Sequence, residues 1–380
     1  MKTLKFNLAI LFFAFVVFSN TGCEEFSPND TLCTDFAMNL DKLEENLVDE
    51  LDSRTMGYAY VISRDGNHQR SGSDGNGRNN TDGQKDFSVN NRMQVASISK
   101  TITTVATLSL LEEKGVDVNS SVEPYLPPHW TRGPGIENLT FYDLIWQSAA
   151  LNVVGTQGFN ATRYDSLQAY VLAGAQGNKN VRRYSNTNHG MLRVILPRLW
   201  DVPRPNDGLY DEDFTTSVYK QCIQDVIFDK IGVNNADCLP PGNNPNLAYT
   251  GPADVSGGSG GSSDFSNVAG GIGWNLSTMH IANFFAHSMF ANTFISDDAI
   301  DLMMNDEAGF WNSRDGDKGR YICKLGGWNY GGTPSSNFNS CIMQYPGGYQ
   351  VTIFVNSNLT NGKSLGNVAR DAYDDAWGCN

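Results

Sequence analysis

Apolar residues recur at helical spacing in several parts of the chain. Phe36 to Leu51 combines this spacing with many carboxylates and predicts an amphipathic helix. A longer helix is predicted within Gln94 to Gly115, where apolar residues share one face and Gly115 marks the end. Further helices are predicted at Phe141 to Gln147, Tyr164 to Leu172, Leu276 to Met289 and Ser364 to Trp377.

Other stretches alternate, or are rich in aromatic and β-branched residues, which is typical of strands. Gly57 to Ser63 is such a stretch, and Arg64-Asp65-Gly66 after it predicts a hairpin turn. Three antiparallel strands are predicted near the C-terminus, at Arg320 to Lys324, Phe338 to Tyr345 and Tyr349 to Asn356. The Gly-, Asn- and Asp-rich residues from Ser71 to Lys85 predict an exposed loop, and residues 251–266 predict a flexible one.

Strands at both ends of the chain surround a mainly helical middle. This order predicts an α+β fold, in which an antiparallel β-sheet is flanked by helices and completed by the C-terminal part. Residues 36–115 and 266–380 would form an α/β sandwich domain, and residues 116–265 an inserted, mainly helical region. Residues 23–35 would form a polar linker.

The first 22 residues have the pattern of an export signal. Lys2 and Lys5 precede an apolar run from Leu8 to Phe18, which is too short to span a bilayer. The Gly-Cys pair ending at Cys23 resembles the cleavage box of a bacterial lipoprotein, although Asn20 departs from it. We therefore expect an exported protein that is periplasmic, secreted or an outer-membrane lipoprotein, with lipidated Cys23 as its membrane attachment in the last case.

The chain has seven cysteines, and removing Cys23 leaves an even number. In an oxidising compartment the natural pairs are Cys222 with Cys238 and Cys323 with Cys341, leaving Cys33 with Cys379. Free buried thiols are the alternative, because connectivity cannot be deduced from sequence.

Composition and charge exclude several classes of function. The 380 residues are 40% hydrophobic and 18% charged, which is enough for a sizeable core. A formal net charge of -14 without Lys and Arg clusters excludes a nucleic-acid surface. No His or Cys cluster has metal spacing, and Gly362-Lys363-Ser364 lacks the first glycine of the pattern G-x-x-x-x-G-K-S, so we expect neither a metal nor a cofactor.

Ser97-Ile98-Ser99-Lys100 matches the pattern S-x-x-K at the start of a predicted helix. Positions three apart share a helix face, so the Ser97 hydroxyl and the Lys100 amine can meet. A buried lysine at a helix N-terminus has a lowered pKa and can take the serine's proton. The Ser97 amide can also serve as one donor of an oxyanion hole.

Two later motifs can complete such a site. Tyr184-Ser185-Asn186 offers a phenol as general base and Asn186 to orient Lys100 or a substrate amide. In Cys323 to Trp328, Lys324 can hold a substrate carboxylate, while the small residues Gly326 and Gly327 let a substrate lie along the strand. A Ser-His-Asp triad is disfavoured, since the single G-x-S-x-G match, around Ser259, lies in the predicted flexible loop and not at a strand-to-helix elbow.

In chain order, these motifs resemble the serine β-lactamase-like and penicillin-binding-protein family, which includes class C β-lactamases, D-Ala-D-Ala carboxypeptidases and related esterases. The resemblance runs from about residue 55 to 375 and includes Ala269-Gly270-Gly271 and the final hairpin after Gln344. It implies acylation of Ser97, with Lys100 and Tyr184 shuttling the proton. It also implies an oxyanion hole formed by the amides of Ser97 and Gly327.

Three departures from the family pattern bear on the substrate. Leu325 stands where a Thr or Ser hydroxyl is usual, which makes β-lactam hydrolysis less certain. Tyr330-Gly331-Gly332 is an alternative third motif that would place Lys324 outside the site. Gln147 and Ala149-Ala150 replace the usual His and Ser-Gly, so we expect an altered pocket wall.

The sequence thus predicts a monomeric, cofactor-free serine hydrolase acting on a small ester, amide or D-peptide. An esterase or D-peptidase is favoured over a β-lactamase because of Leu325. The alternative from another class is a catalytically silent exported binding protein of the same fold. Which of Lys100 and Tyr184 is the general base stays open at this stage.

Overall fold

The computed structural model describes residues 36–151, 162–200, 210–242 and 244–379; the predicted signal, the linker, Cys23 and Cys33 lie outside these residues. The strands are β1 Phe36–Met38, β2 Gly57–Arg64, β3 Asn67–Arg78, β4 Lys85–Asp86, β5 Met93–Gln94, β6 Asn275–Leu276, β7 Arg314–Gly316, β8 Gly319–Gly332, β9 Ser335–Gln344, β10 Tyr349–Val355 and β11 Trp377–Cys379. The α-helices are α1 Leu40–Leu51, α2 Ser99–Lys114, α3 Phe141–Ile145, α4 Tyr164–Ala173, α5 Asn186–Trp200, α6 Glu212–Ile223, α7 Thr278–Met289, α8 Asp297–Asn305 and α9 Leu365–Asp374.

A seven-stranded sheet has the order β4-β3-β2-β10-β9-β8-β7, and its neighbouring strands are antiparallel. Its centre joins distant parts of the chain, because β2 pairs with β10 from Tyr349 opposite Arg64 to Val355 opposite Tyr58. The predicted α+β fold and the three C-terminal strands are therefore confirmed.

The sheet separates two hydrophobic cores, and the alternation along β2 shows why. Tyr58, Tyr60 and Ile62 enter the core beneath α1 and α9, whereas Ala59 enters the core that contains α2 and α5. Side chains alternate between the two faces of a strand, so both faces of this strand are buried and its residues are almost all apolar.

The predicted loop from Ser71 to Lys85 is wrong in its first part, since β3 continues to Arg78. Its glycines fit a strand here for a steric reason. A Cβ on Gly72 would lie 2.4 Å from the Tyr60 hydroxyl, and one on Gly75 would lie 2.4 Å from the Met56 carbonyl oxygen. Composition alone predicted a loop, but pairing with β2 determines the conformation.

The N-terminal helix begins later than predicted. Phe36–Met38 is a strand that pairs with Trp377–Cys379, and the helix starts after Asn39, whose side chain accepts a hydrogen bond from the Lys42 amide at 3.0 Å. The cap at Asn39 and the pairing of β1 with β11 together determine where the helix starts.

Residues 251–266 contain no α-helix or strand, as predicted, but hydrogen bonds tie them to the segment after β3. The Asn79 side chain donates to the Asp254 carbonyl at 2.9 Å, and the Gly258 amide donates to the Asp82 carboxylate at 2.9 Å. The predicted flexible loop is thus anchored at several points.

The predicted disulfides of Cys222 with Cys238 and of Cys323 with Cys341 are not formed in the structure. All four are buried thiols, and the sulfur atoms of Cys323 and Cys341 are 3.9 Å apart. Cys33 lies outside the described residues, so its predicted disulfide with Cys379 stays a prediction. Among the described residues, we find no helix that is both long and apolar enough to cross a membrane.

Candidate active site

Ser97 lies in a 3₁₀ turn, Ala96–Ile98, that leads directly into α2. Two hydrogen bonds anchor Val95, the residue before the turn. Its amide donates to Trp274 O at 2.9 Å, and its carbonyl oxygen accepts from the Ser340 hydroxyl at 2.9 Å. Ala96 has φ of 48°, an unfavourable value for a residue with a side chain. The neighbouring elements therefore hold the nucleophile candidate in a strained turn.

Three predicted residues meet at the Ser97 hydroxyl. The Lys100 amine donates to Ser97 Oγ at 3.0 Å, and the Tyr184 hydroxyl donates to the same atom at 2.6 Å. Lys100 also donates to Gly271 O at 2.9 Å. Ser97 is 8% and Lys100 0% exposed, whereas Tyr184 is 42% exposed and forms the solvent-facing side of the cluster.

Burial is the main influence on the Lys100 amine, which is 0% exposed. Burial holds the pKa of Lys100 well below its usual value, and the nearby charge of Lys324 lowers it further. No carboxylate is among the hydrogen-bond partners of Lys100 in the described residues. The neutral form of this amine is therefore more accessible than that of a solvent-exposed lysine.

The Tyr184 ring lies between two amines and an indole. Lys100 Nζ is 5.0 Å and Lys324 Nζ is 4.9 Å from its centroid, and the Trp311 ring lies 5.2 Å away. Burial raises the pKa of the Tyr184 phenol, while its hydrogen bond with Ser97 opposes that shift. Tyr184 is thus held as a neutral phenol.

The structure brings Lys324, rather than Tyr330, to this cluster. Lys324 is 0% exposed, and its amine has no hydrogen-bond partner among the described residues. Burial, followed by the charge of Arg182, lowers the pKa of Lys324 to about 7. Tyr330 instead reaches Gln94, with its hydroxyl 3.4 Å from Gln94 Oε1. Leu325 packs on the opposite core of the sheet, beside α1 and α9.

Gly326 and Gly327 lie along the nucleophile turn. A Cβ on Gly326 would lie 2.3 Å from Val95 O and 3.3 Å from the Ser97 amide nitrogen, so only glycine allows β8 to approach this closely. Gly327 is one residue further along β8, opposite Asn339.

The backbone of alternate β8 residues faces away from β9. The Leu325 amide donates to Asn312 Oδ1 at 3.1 Å, and Cys323 O accepts from the Asn312 amide at 3.0 Å. In an antiparallel strand the N–H and C=O of every second residue point the same way, so the Gly327 amide also faces this edge.

Asn186 is the first residue of α5, next to Gly271. A Cβ on Gly271 would lie 3.7 Å from Lys100 Nζ and 3.8 Å from Asn186 Oδ1. This oxygen is buried without a hydrogen-bond partner among the described residues. Asn186 therefore lies beside Lys100 with an acceptor still available.

Sequence reasoning missed the contacts that support Tyr184. Arg182 donates to Trp146 O at 3.1 Å and to the Glu307 carboxylate at 3.1 Å. Gln147 accepts hydrogen bonds from the amides of Arg183 and Ser185. The departure from the family at Gln147 was a signal, but the segment it contacts could not be deduced from spacing.

The described residues contain no group of three or more His, Cys, Asp or Glu side chains arranged to hold a metal ion. The chemistry available at this site is that of a serine hydroxyl, two lysine amines, a phenol and main-chain amides.

The fold is that of the β-lactamase family. A family model, Beta-lactamase, matches residues 40–376, and the chain belongs to that family. No curated protein matches the sequence.

Solved structures share the fold at low sequence identity. A penicillin-binding protein homologue from Pyrococcus abyssi has 17% identity and a TM-score of 0.64, covering 88% of this chain and 76% of its own. A β-lactamase/D-alanine carboxypeptidase from Yersinia pestis has 15% identity and a TM-score of 0.63, covering 89% and 96%. A D-amino acid amidase from Ochrobactrum anthropi has 14% identity and a TM-score of 0.61, covering 88% and 96%. Identity this low establishes the fold alone.

Proposed function

We propose that the protein is a serine acyl hydrolase that cleaves an ester or amide through an acyl-enzyme on Ser97. The observation that carries this proposal is the convergence of the Lys100 amine and the Tyr184 hydroxyl on Ser97 Oγ, at 3.0 and 2.6 Å. A serine that merely caps a helix needs neither neighbour, whereas a nucleophile needs a proton acceptor and a proton donor.

Lys100 is the general base of the free enzyme in this scheme. Its lowered pKa makes the neutral amine available, and the 3.0 Å contact lets the amine's lone pair accept the Ser97 proton. The raised pKa of Tyr184 leaves the phenol protonated and able to act as the acid.

The reaction then follows from these positions. Ser97 Oγ attacks the substrate carbonyl while its proton passes to Lys100, and the amides of Ser97 and Gly327 stabilise the oxyanion. The intermediate collapses as the leaving group departs with a proton from Tyr184, which regains one from Lys100. Water then attacks the acyl-enzyme as Lys100 takes its proton, and that proton passes to Ser97 Oγ when the bond to the acyl group breaks and the acid product leaves.

The substrate is a small ester, amide or D-peptide. The Lys324 amine, 4.9 Å from the centre of the Tyr184 ring, is charged below its pKa of about 7, which favours a substrate with a carboxylate near the scissile bond. Asn186 Oδ1 would accept a hydrogen bond from a substrate amide or orient Lys100. The proposed enzyme acts as a monomer and without a cofactor.

The test is intact-protein mass spectrometry after incubation with a fluorophosphonate probe and, separately, with a labelled penicillin. We expect a fluorophosphonate adduct on the wild type and none on Ser97→Ala, because the probe reacts with an activated serine. A lasting penicillin adduct as well would identify a penicillin-binding peptidase, and rapid release of the opened product would identify a β-lactamase.

Circular dichroism of both proteins serves as the folding control. If folded wild type forms no adduct with either reagent, or if Ser97→Ala is labelled equally, the hydrolase proposal is wrong. The silent binding protein would then be the better account.

A further inference from the structure

Gln147 contacts the main chain on both sides of Tyr184. Its carbonyl oxygen accepts a hydrogen bond from the Arg183 amide at 2.9 Å, and its side-chain Oε1 accepts one from the Ser185 amide at 3.1 Å. The residue is 1% exposed, so these hydrogen bonds do not compete with bulk water. One residue therefore fixes the peptide groups before and after the phenol.

The backbone of Gln147 is unusual in a way that fits this role. Its φ is 63°, in the left-handed region that a residue with a side chain seldom adopts. Such a conformation is destabilising and persists only where the surroundings impose it. In this conformation the main-chain oxygen and the side-chain oxygen of Gln147 both accept hydrogen bonds from the segment Arg183 to Ser185.

The segment that carries Tyr184 has limited support from elsewhere. It precedes the first turn of α5, and both Val181 (40%) and Tyr184 (42%) are exposed. Arg182 anchors its beginning through Trp146 and Glu307. Beyond Arg182, Gln147 holds the main chain of this segment by hydrogen bonds from the Arg183 and Ser185 amides, while the Trp311 ring packs 5.2 Å from the Tyr184 ring.

Accurate placement of this phenol matters for the chemistry. Its hydroxyl is 2.6 Å from Ser97 Oγ, and a hydrogen bond weakens steeply when distance and angle change. Misplacement of a reacting group by about 1 Å can lower a rate by about 100-fold.

We infer that Gln147 is a positioning residue, which holds the Tyr184 hydroxyl on Ser97 by fixing the peptide groups on both sides of it. This inference rests on the proposed role of Tyr184 in proton transfer. It assigns to Gln147 an effect that passes through Tyr184 and not through the substrate.

A double-mutant cycle on the full chain tests this pathway. The measured quantity is the second-order rate constant with which the fluorophosphonate phosphonylates Ser97, which stands in for the acylation step. It is compared for wild type, Gln147→Ala, Tyr184→Phe and the double variant. We expect Gln147→Ala to react about 10- to 100-fold more slowly than wild type. In the Tyr184→Phe background, the same change should have little further effect, because no hydroxyl remains to be positioned.

Ser148→Ala is the matched control. Ser148 is the next residue, is 3% exposed, and its hydroxyl contacts Asp143 at 3.5 Å instead of the Tyr184 segment. Ser97 of the Ser148→Ala variant should react at the wild-type rate. Thermal unfolding of every variant separates a local effect from a loss of folding.

Two outcomes would overturn the inference. Gln147→Ala could acylate as fast as wild type, or it could be slowed equally in both backgrounds, as expected from a purely structural residue. If wild type shows no Ser97-dependent acylation at all, the proposed function fails and the inference fails with it. A slow Gln147→Ala with no coupling to Tyr184 leaves the hydrolase proposal standing.

Discussion

Lys324 buries an amine that has no hydrogen-bond partner among the described residues. A buried cation without a partner is destabilising, and its pKa falls until the neutral form competes. Here burial and the charge of Arg182 lower the pKa to about 7, so Lys324 is charged below this pH and progressively neutral above it. Its charge lies beside Tyr184 and acts on Lys100.

Lys324→Met should move the pH dependence of Ser97 acylation to higher pH. The positive charge of Lys324 contributes to the low pKa of Lys100, so removing this charge raises the pKa of Lys100. The neutral amine then forms at higher pH, and the rising limb of the acylation rate shifts in the same direction. Measuring fluorophosphonate acylation across pH 5–9 (roughly the range around a pKa of about 7) at low salt checks this.

Lys114→Met provides the charge control, because Lys114 is at the far end of α2 and pairs with Glu113 at 2.8 Å. Its profile should coincide with that of wild type. An unchanged profile for Lys324→Met, or a shift to lower pH, would contradict the electrostatic coupling.

At the scale of residues, local spacing predicted part of the site. Ser97 and Lys100 are three positions apart on one helix, so their contact followed from helix geometry. Tyr184 and Lys324 were candidates by their chemistry, but spacing could not predict their position, since they reach the site through tertiary packing. For Gln147, the sequence showed only that it replaces the usual His of the family. Its contacts could not be predicted, because they depend on the path of the segment that carries Tyr184.

At the scale of elements, β8 and the nucleophile turn form one packed unit. Gly326 abuts Val95 and lies opposite Ser340, whose hydroxyl donates to the Val95 carbonyl at 2.9 Å. The strand that bears the proposed oxyanion amide is thus fixed against the turn that bears the nucleophile.

Gly326→Ala should lower the melting temperature by a few degrees and slow acylation of Ser97. The added Cβ would lie 2.2 Å from Ser340 Oγ and 2.3 Å from Val95 O, and the latter is a main-chain atom that cannot rotate away. Overpacking of this kind costs about 1–3 kcal/mol. Differential scanning calorimetry and the acylation rate measure the two effects.

Gly327→Ala is the steric comparison for stability, because its Cβ would meet only Asn339 Oδ1, at an ordinary 3.5 Å. Its melting temperature should stay within about a degree of wild type, as for a substitution of small effect. Equal destabilisation by both substitutions would show that the close approach at Gly326 is not the cause.

Elements with a strong local pattern were predictable, and those that depend on remote partners were not. Helix α2 has apolar periodicity and ends at Gly115, which adopts φ of 64° at the helix C-cap. The strand β3 has an exposed, glycine-rich sequence and owes its conformation to β2 and β4. The extension of β8 to Gly332 likewise depends on pairing with β9.

At the scale of the whole molecule, the two ends of the described part of the chain meet. β1 pairs with β11, and the Asn46 side chain on α1 donates to Ala372 O on α9 at 3.1 Å. The division into a sandwich domain and an inserted region of residues 116–265 stays a prediction, as do export and the lipidation of Cys23.

One of the two cores extends through both predicted domains. It contains Val105 of α2, Leu192 of α5, Tyr219 of α6 and Ile342 of β9, all of which are 0% exposed. A helical region that shares its core with the sheet has no separate apolar interior to stabilise it after the sheet unfolds. Cooperativity should therefore extend over the whole molecule.

We expect a single unfolding transition. In differential scanning calorimetry, the calorimetric and van 't Hoff enthalpies should agree, and urea curves followed by tryptophan fluorescence and by far-ultraviolet circular dichroism should coincide. Trp130 and Trp274 are buried in or beside the helical region and report on it, whereas circular dichroism reports on the whole fold. Two separated transitions would mean that residues 116–265 unfold on their own, and the shared core would then not be the cooperative unit.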